Sequence, residues 1–289
     1  MKKIFYGICL IAALFAVPVF AYETTTNEHG DIIQQTGQGE INWTKGIISA
    51  KGYADPNQPI YAQQVAAQAD ARANLLMILN EVQIKRGISV EKGILTQDLN
   101  MQTVQGTLQG AIMSELKRDT NGMPMVIAYK KVTQDMLRSI MPVKFFTPDP
   151  SEKPFTPPSQ TTSIPAQTLT TSTNLYTGLI IDARGSGIAP SLGLSIVTEG
   201  SGQVLYGTSF ASRAKVLEKG GMAGYSGSME KAKTNPRVGK NPLVIKAISS
   251  CGERNTDALI SKEDAARVYA ENLKNSFLKE LCVIVVCGS

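Results

Sequence analysis

A chain of 289 residues, 43% hydrophobic and 18% charged, holds enough apolar material for one large or two medium cores and does not have a disordered composition. Its formal charge of +5 includes Lys2 and Lys3 of a cationic start, and the remainder is too mild to nominate nucleic acid as a partner. The single histidine, His29, falls in a polar stretch, which argues against a serine or cysteine triad on a rigid scaffold and against zinc.

Met1-Lys2-Lys3, an apolar run from Ile4 to Phe15 and small residues ending at Ala21 read as a secretory leader cut after Ala21. No later segment approaches the length of a membrane span, so the expected destination is the periplasm, peripheral to the outer membrane and without a transmembrane anchor. Cys9 lies too early, and without a lipobox, to be a lipidation site. The expected division is residues 1–21 leader, 22–40 flexible arm, 41–141 an N-terminal α+β domain, 142–174 a Pro/Thr/Ser-rich linker and 175–289 a C-terminal α+β domain. The fold class is α+β, two small sandwiches of a sheet with helices packed on it.

Within the first domain, Ile41 to Ala54 reads as a strand and Asp55-Pro56-Asn57 as its turn. Pro59 to Lys85 is the strongest helix, stopped by Gly87. Ala62, Ala66, Ala69 and Ala73 followed by Leu76 and Leu79 are its expected buried stripe, with Asp70 and Arg72 toward solvent or a strand edge. A second helix is expected over Thr96 to Gln105. A hairpin is expected where Ala111–Lys117 and Met125–Lys131 flank the Asn121-Gly122 turn. Six prolines between Pro148 and Pro165 then suggest an extended, semi-rigid tether.

The second domain opens with Leu179, Ile180 and Ile181, an apolar run of strand length that reads as a central strand buried on both faces. Asp182 and Arg184 stand where it ends in Gly185-Ser186-Gly187. The two charges either satisfy each other and orient the loop, or mark a functional edge, and Gly185 and Gly187 permit the tight path. A hairpin follows over Leu194–Val197 and Gln203–Tyr206, then helical pieces broken at Gly220-Gly221, and a strand from Leu243 to Ile248. Ser261 caps a helix over Lys262–Lys279 whose stripe is Ala265, Val268, Leu273 and Phe277. Leu281 to Val286 is a further buried strand, expected beside Leu243–Ile248.

Chemistry is sparsely signposted. Gly185 and Gly187 lack the third glycine and the helix of a dinucleotide fingerprint, no phosphate-loop spacing occurs, and no carboxylate pair is nominated. No cofactor, metal or catalytic residue is assigned. Three cysteines follow the leader. Cys282 and Cys287, about 16 Å apart on an extended strand, are beyond disulfide reach, so the bridge to consider joins Cys251 to one of them, Cys282 being the first choice; three buried thiols are the alternative. Lys231, Lys233, Arg237 and Lys240 concentrate positive charge and read as a solvated face, or as a contact for an anionic surface.

Two blocks carry a family resemblance. GIISAKGYA with the helix containing QADARANLL, and YTGLIIDARGSG with LYG and NPLVIKA beyond it, resemble the envelope proteins of the twenty-kilodalton lipoprotein family. Relatives of that family include the flagellar outer-membrane assembly proteins FlgP and FlgT. The resemblance implies a non-catalytic periplasmic component that assembles with other envelope or flagellar proteins, or with copies of itself, around a basal body. This chain lacks the lipidated cysteine of the lipoprotein members. The alternatives are a binding module for peptidoglycan or a lipid headgroup and, third, a hydrolase of unknown substrate.

Overall fold

The computed structural model describes residues 24–157 and 175–288. The leader expected over residues 1–21 and the central part of the expected linker lie outside the described residues. The first half contains β1 (Thr24–Thr26), β2 (Ile32–Thr36), β3 (Gly39–Asn42), β4 (Ile47–Tyr53), α1 (Ile60–Glu81), β5 (Gln83–Lys85) and β6 (Ile88–Ser89). It continues with α2 (Val90–Leu95), α3 (Met101–Gly106), β7 (Ile112–Met113), β8 (Lys117–Arg118), β9 (Pro124–Lys131) and α4 (Gln134–Ile140). Strands β1, β2, β3, β4, β9 and β7 form an antiparallel sheet in that order, with β8 also on β9.

Helix α1 lies across β4 and β9. The approach is close because Gly52 faces it: a Cβ there would stand 2.1 Å from the Ala71 nitrogen and 2.3 Å from the Ala67 oxygen. The buried face of α1 is therefore Gln63, Ala67, Ala71, Leu75, Ile78 and Leu79. The expected stripe through Ala69 and Ala73 points outward instead, because alanines on both sides of the helix make its small-residue pattern ambiguous. Asp70 sits at a strand edge as expected, accepting the Tyr53 N–H at 2.8 Å.

The second half contains β10 (Gly178–Asp182), β11 (Ile196–Thr198), β12 (Val204–Tyr206), α5 (Arg213–Lys219), β13 (Gly224–Ser226), α6 (Met229–Thr234) and β14 (Pro242–Lys246). It ends with β15 (Ser249–Cys251), β16 (Asp257–Ile260), α7 (Lys262–Asn275) and β17 (Val283–Val286). Strands β13, β17, β10 and β14 make a parallel sheet in that order. Strand β10 is interior and buried on both faces, as its apolar run requires. It separates β14 from β17, which are not the neighbours expected from their sequence. One face of this sheet, through Ile180, Ile284 and Val286, packs on Ala232 of α6. Its other face joins the large core, which passes continuously into the first half. A second sheet, β12–β11–β16–β15, is reached directly from β14.

The α+β class holds, and further details differ from expectation, α1 among them, which ends at Glu81 and gives way to β5 before Lys85. The polar arm is not an arm where it is described: β1 and β2 are sheet strands, with Ile32 and Ile33 buried and the Gln34 side-chain Oε1 accepting the Trp43 indole N–H at 2.8 Å. Residues at the start of the expected linker are packed, Phe145 in the core and Phe155 against Tyr269, with Phe155 N–H donating to Val204 O. Proline suits that path, since an edge segment needs few backbone donors. Leu273 is exposed, and α7 stops at Ser276, whose φ of 50° is left-handed.

Ser261 caps α7, its hydroxyl accepting the Asp264 N–H at 3.0 Å. Ser261→Ala is expected to lower stability by about 1 kcal/mol in a urea titration, and Ser261→Asp to retain most of it.

Candidate functional site

Asp182 and Arg184 stand at the carboxyl edge of the parallel sheet, where open α/β sheets ordinarily bind ligands. Arg184 donates from Nε to Asp182 Oδ1 at 2.8 Å and from Nη2 to Oδ2 at 2.6 Å, and its own N–H adds a third bond. These Arg184 hydrogen bonds hold the Asp182 carboxyl below its ordinary range despite partial burial. The pair closes on itself and shapes the loop. Gly185 and Gly187 take left-handed φ of +74° and +71°, and Ser186 O accepts the Ser250 N–H, tying the loop to β15. The groove beside it is lined by Thr24, Gly185, Gly187 and Cys287. Burial pushes the Cys287 thiol up to about 12, so it is a protonated, inert wall.

The same edge is covered by the β1–β2 hairpin. Gly227 N–H donates to Gly30 O at 2.9 Å, and the Lys231 ammonium donates to the His29 carbonyl. The four basic residues expected to form one patch are thus divided. Lys233 and Lys240 are exposed and Lys231 is engaged with the hairpin, whereas Arg237 is turned inward. Its guanidinium donates to the carbonyls of Leu281, Lys219, Gly221 and Met222 at 2.8–3.0 Å. Lys219 O ends α5 and Gly221 O follows its left-handed Gly220 cap, a favoured position for a cation. Burial pulls Arg237 below the ordinary guanidinium range.

The cysteines do not pair. Cys251, Cys282 and Cys287 are free thiols, Cys251 on β15 of the second sheet and Cys282 at the start of the chain's return into the parallel one. Burial raises Cys251 to about 11 and also raises Cys282.

Two features that the sequence reading missed lie between the halves. At the first, Arg86 donates from Nε to Asp257 Oδ2 at 2.7 Å and from Nη1 to Glu152 Oε1 at 3.2 Å. Asp257, whose side chain is 1% exposed, also accepts the Ser195 N–H at 3.0 Å. Burial raises the Asp257 carboxyl above its ordinary value, and Arg86 opposes that rise. No spacing rule connects residues 171 apart in the chain.

The second feature is a cavity of about 250 Å³ between the β3–β4 turn, α4 and the α5–β13 segment. Its apolar wall includes Ile48, Leu79, Val82, Met136, Ile140 and Leu192. Trp43 and Tyr225 meet edge to face across it, centroids 5.7 Å apart, and the Tyr225 hydroxyl both donates to Ser191 O and accepts Ser191 N–H.

Residues 178–289 match one family model. It describes the second domain of Treponema pallidum Tp0624. No curated protein matches the chain. The similarity to the Tp0624 domain covers β10 through β17, and so includes Asp182, Ser191, Arg237 and Asp257. Arg86, Glu152 and Trp43, which meet that region from the other half, lie outside it. Among the described residues no helix is long and apolar enough to cross a membrane, and no group of three or more His, Cys, Asp or Glu is placed to hold a metal ion.

Proposed function

We propose that the chain is an exported, non-catalytic assembly component of the cell envelope, peripheral to the outer membrane, which associates with further copies of itself through the outer face of α1. The observation that carries this reading is that the outer face of α1 carries a row of exposed apolar residues beside Gln64 and Arg72. Its inner face fills the core, while Ile60, Tyr61, Val65 and Met77 remain exposed, Tyr61 by 79% and Met77 by 64%. Ala69 and Ala73 lie between them on the same face at four-residue spacing. A helix of this kind ordinarily has a neighbour on each side. The face is also self-complementary about Ala69, since an antiparallel copy sets Tyr61 against Met77 and the alanines allow close approach.

The leader pattern supports export, and the two sequence blocks resembling the twenty-kilodalton lipoprotein family support a place beside envelope or flagellar proteins. The closed Asp182–Arg184 pair speaks against using that carboxylate in hydrolysis.

Light scattering over a concentration series tests the reading. The wild-type chain is expected to give a dimer or larger assembly, and Val65→Glu with Met77→Glu to give a monomer with unchanged thermal stability, both positions being solvent-facing. A wild-type monomer at every concentration, or an assembly indifferent to both substitutions, refutes it.

A further inference from the structure

The cavity between the halves combines three properties that packing alone does not require. Its wall is apolar over most of its extent, and a space of about 250 Å³ is larger than the 150 Å³ or so that accommodates benzene in an engineered core. Arg237 is among its lining residues, and its guanidinium is compensated by main-chain carbonyl dipoles without a carboxylate among its hydrogen-bond partners. Four of its five N–H groups are used there, which leaves one on Nη1. Another wall presents Ser191, 1% exposed, whose hydroxyl has no hydrogen-bond partner although its backbone is held by Tyr225. A buried hydroxyl of this kind ordinarily finds an acceptor.

The ionisable groups lining the cavity have a consistent sign. Lys45, Lys131, Lys219 and Arg237 face one carboxylate, Glu218; Lys45 is paired with Asp31 at 2.6 Å, and the exposed Lys131 and Lys219 stand at the rim. An apolar chamber with a cationic mouth, an unpaired internal cation and a spare hydroxyl is complementary to a small organic anion with an apolar body.

We infer that this cavity binds an aryl or branched aliphatic monocarboxylate, its hydrocarbon body against Trp43, Met136 and Ile140 and its carboxylate toward Arg237 and the Ser191 hydroxyl. The inference is independent of the α1 assembly surface. It assigns a ligand role to the junction of the two halves, distinct from a basic-surface contact through Lys233 and Lys240.

The chain's single tryptophan, Trp43, lines the cavity, so its emission reports occupancy directly. The full chain is titrated with 3-phenylpropionate and, in parallel, with its neutral amide. A saturable change in Trp43 emission is expected with the acid, with the amide at least about tenfold weaker because it forgoes the charge-assisted bonds. Ser191→Ala is expected to weaken the acid several-fold while leaving the amide nearly unchanged. Lys131→Met, at an exposed position that does not test folding, is expected to weaken the acid and to flatten its salt dependence.

Acid and amide titrating alike overturn the inference, leaving only an apolar cavity. Emission unmoved by millimolar acid overturns it as well. A response to the acid that both variants leave intact places the anion elsewhere and refutes this site. The assembly state of the Val65 and Met77 variants is read separately, so failure of one proposal does not count against the other.

Discussion

Arg86→Met is expected to destabilise the folded chain by about 3–5 kcal/mol near neutral pH, measured by urea unfolding, because it leaves a buried carboxylate without its cation. The Arg86 side chain is 30% exposed, but its partners are not: Asp257 is buried beneath it, and Glu152 holds the other side of the fork. The loss should depend on pH in a defined direction. Burial makes Asp257 titrate higher in the folded chain than in the unfolded one, even with Arg86 beside it. Between those two values the folded state holds the extra proton, so stability from this group is complete below the unfolded value, near 3.9, and is lost as pH rises through the folded one. Removing Arg86 raises the folded value further and widens that window upward.

The difference between wild type and Arg86→Met should therefore shrink as pH falls from neutrality toward the unfolded value, with other carboxylates cancelling in the comparison. Asp257→Asn in the Arg86→Met background should recover part of the loss at pH 7, since a neutral amide costs less to bury than an unpaired charge. A deficit that stays constant with pH would mean the ion pair contributes only packing.

Gly52→Ala is expected to cost about 3 kcal/mol, at the upper end of ordinary overpacking, and to lower the melting temperature by about 6–12 °C. The reason is spatial. A methyl group at Gly52 would meet Ala71 N, Ala67 O and Ala71 Cα at 2.1, 2.3 and 2.6 Å, all of them parts of α1 that no rotamer can move. Shortening the opposing side chain should not help: Gly52→Ala combined with Ala71→Gly is expected to remain at least as unstable as Gly52→Ala alone, because the obstruction is backbone and the added glycine weakens the helix. Recovery in the double variant would show that α1 rides on its alanine methyl groups and not on this direct approach. Differential scanning calorimetry gives both numbers.

Local patterns are legible in the sequence, whereas contacts between distant segments are not. Strands β10 and β17 announce themselves as continuous apolar runs, and both are buried on two faces. The Ser261 cap and the Asp182–Arg184 pair are local patterns, completed by residues two or three positions apart, and they form as expected. The face of α1 was not readable, since alanines repeat on every side of it and only Gly52, eight residues upstream of its start, decides which side is drawn in. The β1–β2 hairpin reads as polar chain because Gln34 is compensated by Trp43 and not by neighbours in sequence. Arg86 with Asp257, and Trp43 with Ser191 and Tyr225, are contacts between distant segments. Each residue alone resembles an ordinary surface charge or core aromatic until the two halves meet.

The hairpin at the start of the described chain has a consequence for how the molecule is made. A Cβ on Gly288 would stand 2.2 Å from Thr26 Oγ1, so the opening strand lies directly beside the terminus of the last one. Thr24–Thr36 pairs locally with β3, but its contacts with Gly227 and Gly288 require β13 and β17 to be in place. Closing so long a loop comes late in folding. The hairpin's pairing with β3 can thus form early, while its seat beside Gly288 is completed only once the last strand is in place.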